Sequence, residues 1–327
     1  MQLYRRTDHV ETRSPPYVEP YCSPVIEVRP CADEAEQERA LAVYNAVWTW
    51  DAVSMDEVRF VRSSARAYRA FLARRDGADA GSVAAIVLPA HPSRAWTRLT
   101  VLPEHRRGGV GTALYRAASD WLRERGIEHI RAPVAEDDAE SLAFAERRGF
   151  RESERNGRMV LDLTAVEAPP LDLPPGVEIT TYAERPELAR AIYAVACEAL
   201  PDVPGEDDWE GLSFDEWLPQ IEGPNQRRET TFVALAGEEV VGYAKLALTA
   251  AQPKAGFHDM TAVKRAWRGR GIAGALKRAQ IAWAKEHGYE RLETENEVRN
   301  EPIRRLNARL GYRPAPGHVI LDGPLAS

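Results

Sequence analysis

Residues 263–273 read VKRAWRGRGIA, and they lie between a partly β-branched apolar run and a helical pattern that begins at Gly274. The stretch predicts a strand ending at Val263, an arginine-rich glycine turn and the start of a helix. The small residues Gly269, Gly271 and Ala273 keep side chains off the turn. Successive backbone N–H groups can then converge on an anion at the N-terminal end of the helix. Arg268 and Arg270 add positive charge, and a pyrophosphate suits such a cradle.

The turn has a twin at residues 101–111, VLPEHRRGGVG. A constant offset of 162 places Val101 on Val263, Arg106 on Arg268, Arg107 on Gly269, Gly109 on Gly271 and Gly111 on Ala273. The same offset pairs Trp121 with Trp283, Gly126 with Gly288, Gly149 with Gly311 and Phe150 with Tyr312. A repeat this long is not the short period of a solenoid and means two copies of one domain.

The chain has 327 residues, 44% of them hydrophobic, enough for two cores of ordinary size. Its apolar runs, such as residues 83–88, are far short of a membrane span. The first 30 residues lack the apolar centre of a signal peptide, so a cytoplasmic protein with no membrane partner is expected. Three cysteines, Cys22, Cys31 and Cys197, have no metal-site spacing, and their odd number argues against a disulfide framework; no metal is expected.

The net charge of −7 is unevenly divided: 24 basic against 25 acidic residues over 1–163, and 19 against 25 over 164–327. Neither half is basic and no basic run exceeds two residues, which excludes an electrostatic footprint for nucleic acid. The acidic second half suits a small cationic ligand.

Residues 1–24 read as an aperiodic N-terminal arm. The first copy, residues 25–163, is expected to hold a strand at 25–28, helices at 32–50 and 58–72, strands at 82–88 and 96–102, a helix ending at Arg125, a strand at 127–134 and a helix at 140–148. A proline-rich linker spans 164–175. The second copy, 176–327, repeats the plan. It has a strand at 177–181, a helix at 187–199, a hairpin of 230–236 with 240–248, a strand at 257–263, the turn with its helix to His287, a strand at 291–294 and a helix at 301–310. The fold class is α/β (α+β), with strands ahead of and between the helices in each copy.

These motifs resemble the GNAT superfamily of acyl-CoA-dependent N-acyltransferases, whose pyrophosphate loop follows Gln/Arg-x-x-Gly-x-Gly/Ala. Arg106, Gly109 and Gly111 satisfy it in one copy, and Arg268, Gly271 and Ala273 in the other. The distal pattern, a polar residue opening the last helix and a Gly-aromatic pair closing it, appears as Asp138 with Gly149 and Phe150, and as Asn300 with Gly311 and Tyr312. The likeness covers most of residues 25–325 and extends to the two-domain members of the family, of which mycothiol synthase is one type. It implies two tandem GNAT-like domains, each a mixed, mostly antiparallel sheet flanked by helices. It also implies a cleft where two strands splay apart, with acetyl-CoA as co-substrate laid along Met260–Val263, and a small-molecule amine as acceptor. A monomer or homodimer is expected.

A competing motif is present, because Gly269, Gly271 and Gly274 spell G-x-G-x-x-G with Glu293 about 20 residues on. The twin reads Gly109, Gly111 and Leu114, which breaks that fingerprint and keeps the acyl-CoA pattern. No Gly-Lys-Ser/Thr ends either turn, which excludes a P-loop.

An alkylammonium must lose a proton before it can attack a thioester, so a general base is expected. The resemblance places it nine residues before the turn arginine, at Asp259 in copy two and Thr97 in copy one. Glu295, at the end of the 291–294 strand, is a second candidate, and Asn300 is placed to reach the coenzyme or cap its helix. The acid position of the family, a Tyr four residues before the closing Gly, holds Ala145 and Asn307, neither of which can donate a proton. The segment Leu200–Leu218 interleaves Asp202, Glu206, Asp207, Asp208, Glu210, Asp215 and Glu216 with Trp209 and Trp217, and suits a cationic amine. Catalysis is therefore expected in residues 176–327. The alternative is a non-catalytic acyl-CoA-binding or scaffolding protein.

Overall fold

The computed structural model describes residues 25–89, 91–203, 211 and 213–327. The N-terminal arm and the acidic residues Glu206, Asp207, Asp208 and Glu210, with Trp209, lie outside the described residues. The first copy runs β1 (Ile26–Pro30), α1 (Glu34–Val47), α2 (Met55–Ser64), β2 (Ala67–Arg75), β3 (Ala78–Val87), β4 (Arg94–Val101), α3 (Val110–Arg123), β5 (His129–Ala135), α4 (Ala139–Glu146) and β6 (Arg151–Asp162). The second runs β7 (Glu178–Thr181), α5 (Ala189–Ala199), α6 (Phe214–Ile221), β8 (Thr231–Ala236), β9 (Glu239–Ala247), β10 (Ala255–Val263), α7 (Ile272–Glu286), β11 (Arg291–Glu297), α8 (Glu301–Arg309) and β12 (Arg313–Pro324).

The twelve strands among the described residues form one sheet in the order β1-β2-β3-β4-β5-β12-β6-β11-β10-β9-β8-β7. The strand ladders are antiparallel except β4 with β5 and β10 with β11. The last strands are exchanged: β12, at the end of copy two, inserts beside β5 of copy one, and β6, at the end of copy one, pairs with β11 of copy two. The two exchanged strands also pair with each other. Each core is thereby closed by the other copy. Val319 and Leu321 of β12 join Leu114, Leu122, Ile130 and Phe150, while Met159 and Leu161 of β6 join Leu246, Ile281, Leu292 and Tyr312.

The sequence differs from the structure most over 58–72, where a single helix is expected. That helix ends at Ser64, and residues from Ala67 onward form β2, hydrogen-bonded between β1 and β3. Both faces of β2 are buried: Phe71 and Ala73 enter one core, Ala70 and Leu72 another with Cys31, Ala40 and Val43. A run apolar on both faces hides its period of two, and pairing overrides helix propensity. Strands β6 and β12 and helix α6 carry no expectation in the sequence reading.

At Gly323 the exchanged strand passes so close to copy one that a Cβ there would lie 2.3 Å from the Phe150 ring. That ring packs edge-on against Tyr115 at 5.9 Å and has little room to move. Gly323→Ala is expected to destabilise the protein by about 1–3 kcal/mol through overpacking. Chemical denaturation followed by both fluorescence and circular dichroism checks the loss, and the single sheet predicts coincident transitions for the two probes.

Candidate active site

Both glycine turns are built the same way. Arg106 Nε donates to Val101 O at 3.4 Å and Arg268 Nε to Val263 O at 3.0 Å, tying each turn to the last residue of its strand. Gly109 (φ 91°) and Gly271 (φ 87°) then start α3 and α7 in the left-handed region, and no side chain caps either helix. The N–H groups of the first turn have no intrahelical acceptors and carry the positive end of the helix dipole, as an anion cradle requires. Arg107 holds the left-handed conformation (φ 60°) that Gly269 holds in copy two (φ 76°).

The strands before and after each turn part at equivalent places. The β4–β5 ladder ends at the pair Trp96 and Arg131, and the β10–β11 ladder at His258 and Thr294. Beyond these pairs one edge of β4 and of β10 is open toward the turn. In copy one the opening leads into a cleft of about 660 Å³ lined by Trp48, Trp50, Arg106, Gly109, Gly111 and Phe144, among others.

Carboxylates already meet the turn arginines. Arg106 pairs with Asp138 at 3.2 Å and Glu140 at 3.6 Å, and Arg107 holds Glu140 at 2.5 Å, so the Glu140 carboxyl sits below the usual carboxylate range. In copy two a single residue, Asp202, bridges Arg265 at 2.8 Å and Arg268 at 2.7 Å, and these two arginines pull its pKa to about 2. Arg270 instead stacks over Trp267 at 4.6 Å. Asn300 starts α8 without a side-chain cap bond, so the capping role considered for it is not made.

Asp259 occupies a β-bulge, where the β10–β9 register shifts between His258 and Met260. A bulge re-aims its side chain out of the regular alternation. The carboxylate meets Lys245 Nζ at 2.6 Å and accepts from Gln226 Nε2 at 3.0 Å, while remaining 38% exposed. Glu295 belongs to a different group: it meets His318 Nδ1 of β12 at 2.9 Å, and His318 stacks on Trp50 of copy one. The two candidate bases thus share no partner. Glu293, two residues earlier, is neutralised by Arg158 and Arg291, both at 2.7 Å. Thr97, the counterpart of Asp259, is buried.

Sequence reasoning missed Lys245 and His318, whose importance comes from strand pairing. It also missed a buried group on the helix side of β10. His258 approaches Gln280 Oε1 of α7 through Nδ1 at 2.8 Å and accepts the Tyr312 hydroxyl at Nε2, with Lys277 Nζ 5.6 Å from the Tyr312 ring. Burial, and then Lys277, hold His258 well below its ordinary pKa; burial raises Tyr312 and brings Lys277 down to about 7.

The sequence profile described as "Acetyltransferase (GNAT) family" matches residues 33–150 and again 190–312. Mycothiol acetyltransferase of Nocardia farcinica is 27% identical over 270 residues, 77% of this chain and 81% of that protein. Acetyl transferase GW6a of Oryza sativa is 49% identical over 53 residues, which are 16% of this chain and only 13% of the rice protein. Among solved structures, a GCN5-related N-acetyltransferase from Sphaerobacter thermophilus superposes with a TM-score of 0.71 at 21% identity, covering 92% of this chain and 96% of that one. A tandem GNAT protein from the clavulanic acid biosynthesis pathway superposes with a TM-score of 0.72 at 20% identity, covering 93% and 99%. At such identities these two structures speak for the fold.

The buried lysine has a measurable signature. Above pH 10.5, its ordinary pKa, Lys277 is neutral folded or unfolded. As the pH falls from there toward about 7, the unfolded chain takes up a proton that the folded chain refuses, so stability falls. Lys277→Met is therefore expected to melt above the wild type, with the largest gain below pH 7 and a shrinking gain toward pH 10.5. Thermal melts across that range check it; a gain independent of pH contradicts it.

Proposed function

Because the chain belongs to the acetyltransferase (GNAT) family and carries its pattern twice, we propose that it moves an acetyl group from acetyl-CoA to the amine of a small molecule. The observation that carries this reading is the repeated combination of an uncapped helix start at a left-handed glycine with a strand edge left open just before it. These features fit the coenzyme: the turn N–H groups with Arg106 and Arg107, or with Arg268, match a pyrophosphate, and the open edge of β10 offers backbone groups to an extended amide-bearing arm. When bound, the thioester supplies an activated acyl carbon; everything else falls to the protein.

We assign the reaction to the C-terminal copy, with Asp259 receiving the proton of the acceptor ammonium. What supports this reading is that its bulge position leaves the carboxylate 38% exposed while Lys245 and Gln226 hold it. The acidic residues of the second half favour a cationic acceptor. Glu295, paired with His318, is the reserve base. In the N-terminal copy Thr97 cannot take a proton, so that copy retains a coenzyme cleft without the reactive group.

Asp259→Asn is expected to lower turnover by about 10² to 10⁴, with acetyl-CoA affinity near its starting value. A panel of amines with acetyl-CoA and free-thiol detection supplies the assay. Survival of turnover at both neutral and high pH moves the role to Glu295. Gly271→Glu puts a carboxylate in the cradle and should abolish coenzyme binding by the C-terminal copy together with turnover, whereas Gly109→Glu should spare turnover. The reverse pattern, in variants shown by thermal melts to be folded, reassigns the chemistry to the N-terminal copy.

A further inference from the structure

Five positions beneath the C-terminal cleft hold polar side chains where the N-terminal copy is apolar or aromatic. At the constant offset, His258, Lys277, Gln280, Asn307 and Tyr312 stand where Trp96, Tyr115, Ala118, Ala145 and Phe150 stand. Four of the N-terminal residues are ordinary core, gathered in one cluster. Their C-terminal counterparts are equally buried, Lys277 at 1% exposure and Gln280 and Asn307 at 0%. Burying this many polar groups is costly unless each finds a partner.

The bonding inside the group is incomplete on the donor side. If the His258 ring donates from Nδ1 to Gln280 Oε1, its Nε2 is left to accept the Tyr312 hydroxyl. That arrangement uses the Gln280 acceptor and leaves its Nε2 amide buried without a partner. Asn307 donates to Asn296 Oδ1 at 2.9 Å and keeps an unpartnered Oδ1. Among the described residues Lys277 makes no ion pair, burial lowers its pKa, and its Nζ lies 5.6 Å from the Tyr312 ring with His258 close enough to feel its charge. A lysine without an ion pair beside a buried amide donor lacking an acceptor calls for an acceptor, best a negative one.

The place of the group indicates which acceptor arrives. His258 is the last residue of β10 paired with β11, so the cluster lies where the strands begin to part, on the side covered by α7. From there the open edge of β10 runs to the glycine turn. An arm anchored at Arg268–Ala273 and laid along that edge ends at the root of the cleft. The acid position on α8 is Asn307, which has no proton to give.

We propose that Lys277 is the counter-charge for the coenzyme thiolate in the C-terminal cleft, with His258, Gln280 and Tyr312 forming the wall that holds it there. The acceptor nitrogen bonds to the thioester carbon, the C–S bond breaks, and the electron pair stays on sulfur. Lys277 faces that charge and passes a proton to it, so that coenzyme leaves as the thiol and the neutral lysine is recharged from solvent. The proton lost by the amine goes to its own base. The ionisable groups facing this point are Lys277 from α7, His258 from β10 and Tyr312 ahead of β12, while β11 and α8 contribute Thr294, Asn296 and Asn307, which do not ionise. Burial keeps His258 and Tyr312 neutral, and Lys277 alone of the three changes charge near pH 7.

The inference rests on the coenzyme reading above, so binding and thiol chemistry are measured separately on the full chain. Calorimetry with CoA and with desulfo-CoA, which lacks the sulfur, is run from mildly acidic to alkaline pH, and thiolate absorbance is followed in the complex. The thiol of bound CoA is expected to ionise about one to three pH units below the free thiol, with CoA gaining tenfold or more over desulfo-CoA as it does so. Lys277→Met and Lys277→Gln should remove both effects and leave desulfo-CoA affinity unchanged, whereas Tyr115→Met, at the N-terminal counterpart, should remove neither. An unshifted thiol in a wild-type complex that binds both compounds overturns the role of Lys277 and leaves the coenzyme reading standing, as does a shift that survives both lysine variants. Failure to bind either compound overturns both.

Discussion

The exchange of β6 and β12 is the constraint on which the rest of the structure depends. Each strand supplies hydrogen bonds to the penultimate strand of the other copy and apolar side chains to the other copy's core. Withdrawing one copy would expose β5 or β11 as a bare edge and open the core beside it, a cost no surface contact could offset. The exchange also joins the clefts. His318 travels on β12 to a point where it meets Glu295 and stacks on Trp50, while Gln252 donates to Trp50 O at 2.8 Å and Glu57 accepts from Thr249 across the seam. Trp50, which lines the cleft of copy one, is thereby held by residues of copy two.

What could be read from the chain follows from what each feature demands. The turns were legible because a left-handed N-cap and a close anion need glycine at fixed places, and a duplicated requirement leaves a duplicated pattern. The exchanged strands were not, since their partners are set by the fold. Residues 151–162, RESERNGRMVLD, carry too much charge to suggest a strand, and only Met159 and Leu161 are buried, against residues of the second copy. Strand β2 was hidden for the opposite reason, being apolar on both faces. The candidate base Asp259 was proposed from its position, but its pairing with Lys245 of β9, beside the bulge in β10, depends on strand register that the sequence does not display. The His258, Lys277 and Gln280 group has no motif of its own. Its signal was the contrast between copies, polar against apolar at one offset, which a search for resemblances passes over.

The two cradles differ in what an arriving pyrophosphate has to displace. In copy one Asp138 and Glu140 come from the start of α4, beside the cradle itself, and Asp138 also accepts from Ser141 N at 3.0 Å. Those carboxylates stay near any guest, so repulsion persists after the arginines let go. In copy two the equivalent positions are Asn300 and Pro302, neither charged, and the competing carboxylate is Asp202 from the segment after α5. Removing that one contact frees Arg265 and Arg268 together and leaves no acid on α8 opposite the turn at these positions. On the proposed reading, a pyrophosphate at the second cradle competes with the single carboxylate of Asp202 for Arg265 and Arg268, whereas in the first it meets two carboxylates fixed beside it.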